Sequence, residues 1–211
     1  DSGSSSDETA SQLLQFVFQD PYSSLNPRWR IVGIVAEPLR HMGIGSETAA
    51  RRALDAMDYC GLEKSFGSRF PHELSGGQRQ RVGIARALVV EPEIVIADEP
   101  VSALDLTVQA QILALMKSLQ AERGFSLIFI SHDLAVVESL TDRVAVMREG
   151  RIVEEGSVGD VFEHATHPYT QSLLTASQVL SEQREGEFCL SQRLFETRTL
   201  PSGISPAMDK R

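Results

Sequence analysis

The sequence predicts an α/β fold built on a parallel sheet, and three observations carry that prediction. Short continuous apolar runs recur, LLQFVF at 13–18, IVIAD at 94–98 and SLIFI at 126–130, each the length of a strand covered on both faces. Segments with apolar residues at helical spacing separate these runs. Each run also ends on polar residues, Gln19 after the first, Asp98 and Glu99 after the second, Ser131 and His132 after the third. In a parallel arrangement all of them emerge at one sheet edge, where open α/β folds bind ligands.

The elements follow in order. Residues 1–12, DSGSSSDETASQ, are polar and read as an edge or linker. The first strand stops before Pro21, which has no N–H to continue a ladder. From Asn26 to about Phe70 the spacing turns helical, with Ile31, Ile34, Val35 and Leu39 on one face and Ala53, Leu54, Met57 and Leu62 on another. After Pro71, the glycines of HELSGGQ lead into a helix carrying Val82, Ile84, Ala85, Ala87 and Leu88, which Pro92 ends. A helix over 105–122 has Asp105 as N-cap and Gly124 as stop. RVAVM at 143–147, a turn at Glu149-Gly150 and RIVEE predict an edge hairpin. Beyond about Val179 the tail is polar and irregular and is expected to be mobile.

Composition excludes several classes. With 42% hydrophobic and 23% charged residues the chain is an ordinary globular protein of 211 residues, long enough for one sizeable core. A net charge of -9 argues against a nucleic-acid partner. No run reaches the ~18 apolar residues needed to span a bilayer. Cys60 and Cys189 stand far apart, with neither a metal-ligand spacing nor a disulfide framework, which fits a reducing cytosol.

Two motifs carry chemistry. In Leu74-Ser75-Gly76-Gly77-Gln78 two glycines let backbone approach an anion, the Ser hydroxyl can donate, and the helix that follows offers free N–H groups. In IVIADEP a buried strand delivers adjacent carboxylates, Asp98 suited to hold Mg²⁺ through water and Glu99 to polarise an attacking water. A glycine-rich turn, an acidic cap and a structural histidine would each explain one motif taken alone.

Together they resemble a family. Gln19 in VFQDP resembles the Q-loop, LSGGQ the signature, IVIADE the Walker B strand, SALD the D-loop and His132 the switch histidine of ABC ATPases, over about residues 13–180. The resemblance implies a P-loop NTPase-like ABC core with a helical subdomain, ATP and Mg²⁺ as cofactors, and two such domains paired head to tail. Ser75, Gly76, Gly77 and Gln78 would then cover ATP held by the partner subunit, Asp98 and Gln19 would serve the metal, Glu99 and His132 hydrolysis, and Ser102 and Asp105 the interface between sites. It divides the chain into the polar edge 1–12, an ABC domain at 13–165 with its helical subdomain at about 26–80, and an extension at 166–211.

QDPYSSLNPR at 19–28, EPVSALD at 99–105 and HPYT at 167–170 resemble the oligopeptide and dipeptide importers, whose relatives also carry nickel or glutathione. That implies permease partners, an extracytoplasmic solute-binding protein acting indirectly, and a place at the cytoplasmic face of the inner membrane. Tyr22 and Trp29 fall where a coupling helix of the membrane subunits would dock, although core packing suits Trp29 equally.

The sequence departs from the family pattern in two ways. It contains no GxxxxGK[ST], its first lysine being Lys64, so the N-terminal part of the core, with the adenine-stacking aromatic, is expected to be missing and ATP hydrolysis by this chain alone is not expected. Cys189 stands alone, so the four-cysteine iron-sulfur cluster of some relatives is not expected. Two other readings compete: a non-catalytic module that lends its signature loop to an intact partner, and a DNA-repair ABC ATPase, which the compact motif spacing and the acidity disfavour.

Overall fold

The computed structural model describes residues 13–177, except for the side chains of Pro21 and Tyr22. The expectations for residues 1–12, for the tail past 179 with Cys189, and for Tyr22 as a contact lie outside the described residues. The described chain forms two compact units, divided between Thr141 and Asp142.

In the first unit three strands, β1 (Leu14–Val17), β2 (Ile94–Asp98) and β3 (Ser126–Ile130), form a parallel sheet in the order β1-β2-β3. The register pairs Val17 with Ala97 and Asp98 with Ile130, so all three strands deliver their carboxyl ends to one edge, as the sequence predicts. Val17, Val95 and Ala97 join the core, with Leu127 and Phe129 packed against it. On the alternate positions Phe16, Ile96 and Ile128 line up across the sheet. Phe16, Phe18, Ile128 and Ile130 are exposed there, Phe18 and Ile128 at 50%, with the Phe16 and Phe18 rings stacked 5.9 Å apart.

Between β1 and β2 the chain is helical: α1 (Pro21–Ser24), α2 (Ile31–Val35), α3 (Glu37–His41), α4 (Ser46–Tyr59) and α5 (Gly76–Leu88), with 3-10 turns at Lys64–Ser68 and Pro71–Glu73. The apolar spacing read from the sequence is the buried face here. Ile31, Ile34, Val35, Leu39, Ala53, Met57 and Leu62 are all at most 2% exposed. Met57 has no exposed surface, so Met57→Ala is expected to lower unfolding free energy by about 2–5 kcal/mol, since a buried methionine leaves a cavity. Urea unfolding checks this; a loss below about 1 kcal/mol would mean the site collapses around the gap.

Arginines of α5 tie this helical segment together. Arg79 donates to the Pro71 carbonyl, Arg81 to that of Cys60, which closes α4, and Arg86 to that of Ser24, which closes α1. Cys60 is buried beside Arg81, and burial pushes its thiol up to about 12, so it is chemically quiet. α6 (Leu106–Arg123) follows β2, capped by Asp105, whose carboxylate accepts from the Val108 N–H, and stopped by Gly124 at φ 74. α7 (Leu134–Leu140) follows β3, with Asp133 as its N-cap.

The second unit is a hairpin of β4 (Arg143–Arg148) and β5 (Arg151–Ser157), then α8 (Val158–His164) and a helix, α9, over 168–177. Glu149 and Gly150 have φ 53 and 76, as a two-residue hairpin turn with matching twist requires. Pro168 opens α9, as HPYT suggests. What holds that helix start is Glu154 of β5, whose carboxylate accepts from the Thr166 N–H at 2.6 Å, the Thr166 hydroxyl at 2.9 Å and the His167 N–H at 3.3 Å.

The Thr170 hydroxyl faces the same carboxylate, short of full hydrogen-bond geometry, and it and the Thr166 N–H are the main causes that hold Glu154 at about 2, below its ordinary 4.5. A depressed carboxyl contributes stability that is complete above the unfolded value and is lost as pH falls through the folded one. The anchor therefore holds above about pH 4.5 and fades toward pH 2. Amide exchange at Thr166 and His167 is expected to accelerate across that window beyond its intrinsic pH dependence, and Glu154→Gln should remove the extra dependence.

Candidate functional site

At the carboxyl edge of the sheet the chain leaves β2 through Glu99, whose φ of 44 lies in the left-handed region that costs a non-glycine residue of order 1 kcal/mol or more. Its N–H donates to the carbonyl of Ile130, the last residue of β3, at 2.9 Å, and this bond fixes the bend. Its side chain is thereby turned toward residues delivered by the other two strands. Gln19, just beyond β1, donates from Nε2 to Glu99 Oε2 at 2.8 Å. His132, just beyond β3, places Nδ1 3.0 Å from Glu99 Oε1, a contact that puts the proton on Nδ1. Ser102 completes the group: it accepts from Gln19 Nε2 at 3.2 Å and donates to the Glu99 carbonyl at 3.1 Å.

A carboxylate bonded at both oxygens, one by a neutral amide and one by an imidazole, is restrained in position and partly open to solvent. That suits a group that must meet a water molecule at a defined place and take its proton. Asp98 stands differently. Its side chain is exposed at the strand end and forms no hydrogen bond or ion pair with described residues, so the structure does not bring it into the Glu99 cluster.

The signature residues form the tip of α5. Ser75 is the N-cap, its hydroxyl accepting from the Gln78 N–H at 3.3 Å while the Gln78 side chain accepts from the Ser75 N–H at 2.9 Å, a capping box. Gly76 and Gly77 have ordinary helical φ, and Gly77 packs closely on Val108 of α6. The sequence reading took these glycines as room for an anion, and the structure adds that Gly76 makes room for Leu104 and Gly77 for α6. No hydrogen bond links this tip to the Glu99 cluster among the described residues. Ser102, read as part of a subunit interface, lies within the Glu99 group, whereas Asp105 caps α6. Trp29 is 39% exposed.

Sequence reasoning missed Val108, Leu104 and Glu154. Val108 sits at a helical position that looks like plain core, Leu104 lies in the turn before α6, and Glu154 acts only through the hairpin register.

Comparison with known proteins points to one family. A family model described as ABC transporter matches residues 2–102. A dipeptide transport ATP-binding protein of Haemophilus influenzae, DppF, is 47% identical over 194 residues, 92% of this chain and 58% of that protein. An oligopeptide transport ATP-binding protein of Bacillus subtilis, OppF, is 48% identical over 165 residues, 77% of this chain and 54% of that one. The chain thus spans little more than half the length of these curated relatives. Among solved structures, cbiO1 from Clostridium perfringens, part of the ABC transporter complex cbiONQ, matches with a TM-score of 0.68 and 31% identity, covering 78% of this chain and 64% of that one. The ATP-binding cassette MJ0796, a dimer in a post-hydrolysis state bound to ADP and Pi, matches with a TM-score of 0.62 and 32% identity, covering 72% of this chain and 66% of that one. With the order of motifs, the parallel sheet and these likenesses in agreement, the chain belongs to the ABC transporter ATPase family.

Proposed function

We propose that the chain is part of the ATP-binding, energy-coupling subunit of an importer for peptides or a related small solute. The observation that carries the reading is Glu99, fixed at both carboxylate oxygens by Gln19 and His132 at the edge where three parallel strands end. In this reading Glu99 takes the proton of the attacking water and His132 steadies it. The names of the relatives, dipeptide and oligopeptide transport ATP-binding proteins, supply the solute class.

ATP would lie between two paired subunits, with Ser75, Gly76, Gly77 and Gln78 of this chain against the nucleotide of its partner. Asp98 fits Mg²⁺, a hard cation that needs only one or two carboxylates and completes its shell with water and phosphate oxygens. Its side chain is exposed at the end of β2, the edge where Gln19 and Glu99 also emerge, which suits that demand. When bound, the metal would neutralise charge on the phosphates. Ser102 and Asp105 would lie along the subunit interface, and Trp29 on the surface that meets a permease. No helix among the described residues is long and apolar enough to cross a membrane. In this reading attachment at the cytoplasmic face would run through permease subunits.

A second reading has one observation in its favour. With no GxxxxGK[ST] in the 211 residues, the chain would serve as a non-catalytic module that lends its signature tip to an intact partner. Both readings require that tip. In an assembled ATPase pair, Ser75→Arg is expected to abolish turnover at the nucleotide the tip covers; unchanged turnover would sink them together. Glu99→Gln in the same assembly separates them, because only the first reading needs this carboxylate.

A further inference from the structure

Gly76 and Gly77 are the first two residues of α5 and neither has a positive φ, so what they contribute is the absence of a side chain. A Cβ on Gly77 would stand 2.5 Å from Cγ1 of Val108, and one on Gly76 would stand 3.3 Å from Cδ2 of Leu104. The first distance cannot be accommodated without movement. Val108 cannot turn aside cheaply, because a β-branched side chain in a helix keeps one rotamer about 90% of the time. Its backbone is pinned as well, by the 3.0 Å bond from its N–H to the Asp105 carboxylate.

The same short stretch reaches the Glu99 cluster. Leu104 and Asp105 follow Ser102, whose hydroxyl accepts from Gln19 and donates to the Glu99 carbonyl. Residues 102–108 therefore touch Gln19 and Glu99 at one end and the signature glycines at the other. We propose that Val108 is a positioning residue: by seating Gly77 it locks the signature tip to the 102–105 segment, so that a tip serving the partner's nucleotide moves with the chain's own Glu99 site. This rests on the reading of Ser75 to Gln78 given above.

The test is a double-substitution cycle in the assembled transporter, with ATP turnover and amide exchange as readouts. Gly77→Ala is expected to lower turnover about tenfold or more, and adding Val108→Ala, which removes both methyls, to restore it to within about threefold of the starting protein. If the double variant stays as inactive as Gly77→Ala, the glycine is needed for the nucleotide and not for Val108, and the proposal is overturned. Should Gly77→Ala fail to fold, Val108→Ala alone decides. It is expected to raise exchange at residues 75–78 about tenfold while leaving 82–88 unchanged, and equal exchange at 75–78 overturns the proposal. Ser75→Arg with full turnover would overturn the signature reading on which the coupling depends, and the exchange result would still show whether Val108 seats the tip.

Discussion

Titrating the purified chain with Mg-ATP in a calorimeter is expected to give no micromolar binding. The groups gathered at the sheet edge are Gln19, Glu99, Ser102 and His132 with Asp98 nearby, and none of them is a lysine or arginine able to hold phosphate oxygens. The sequence has no GxxxxGK[ST] whose backbone N–H groups and lysine would supply that grip. Four or five charge-assisted hydrogen bonds at about 1.5–3 kcal/mol each come to about 6–15 kcal/mol. A micromolar ligand has only about 8 kcal/mol in all, so losing that set removes most or all of the affinity. A dissociation constant near 1 μM would show that phosphate is held by groups other than these. Supplying a second ATPase subunit with its own phosphate loop should restore binding, now at a shared site.

Replacing Glu99 by Gln in an assembled importer is expected to cut ATP turnover by about 10²–10⁴-fold, the usual worth of a positioned general base. The substitution keeps shape, and the amide oxygen can still accept from Gln19, so the left-handed turn at φ 44 and the bond from the residue 99 N–H to Ile130 should persist. What is lost is the negative charge and the proton acceptor. The thermal midpoint of the variant is expected to stay within about 4 °C of the parent, which separates a chemical defect from a folding one. Turnover within tenfold of the parent would remove Glu99 from the chemistry and leave it as the structural partner of Gln19 and His132.

The fold was legible where one short segment carries its own signal. The apolar runs at 13–18, 94–98 and 126–130 became β1, β2 and β3 within two residues, and Asp105, Gly124 and the Glu149-Gly150 turn sit where their chemistry placed them. Helical spacing over 26–70 picked the correct buried face but not the break at Ala36, which periodicity alone does not show and which Pro38, with no N–H to continue α2, marks in the first turn of α3. Parallel order alone implied that Gln19, Glu99 and His132 would meet. It could not reveal that Ser102 bonds Gln19, because that contact spans 83 residues and depends on how the loop after Glu99 bends. Nor could LSGGQ announce Val108, since a glycine that admits an anion and one that admits a neighbouring helix look the same in a string of letters.

The aromatic and aliphatic rows on the outer side of the sheet have a practical meaning for anyone who purifies these residues by themselves. Phe16, Phe18, Ile128 and Ile130 form an oily plate on a strand type that is ordinarily sandwiched. Such a face is expected to draw copies of the chain together as concentration rises, which light scattering with and without mild detergent would show. Denaturation of the lone chain consequently sets a floor on robustness, because whatever shields the plate in an assembled transporter adds to the free energy of the native state.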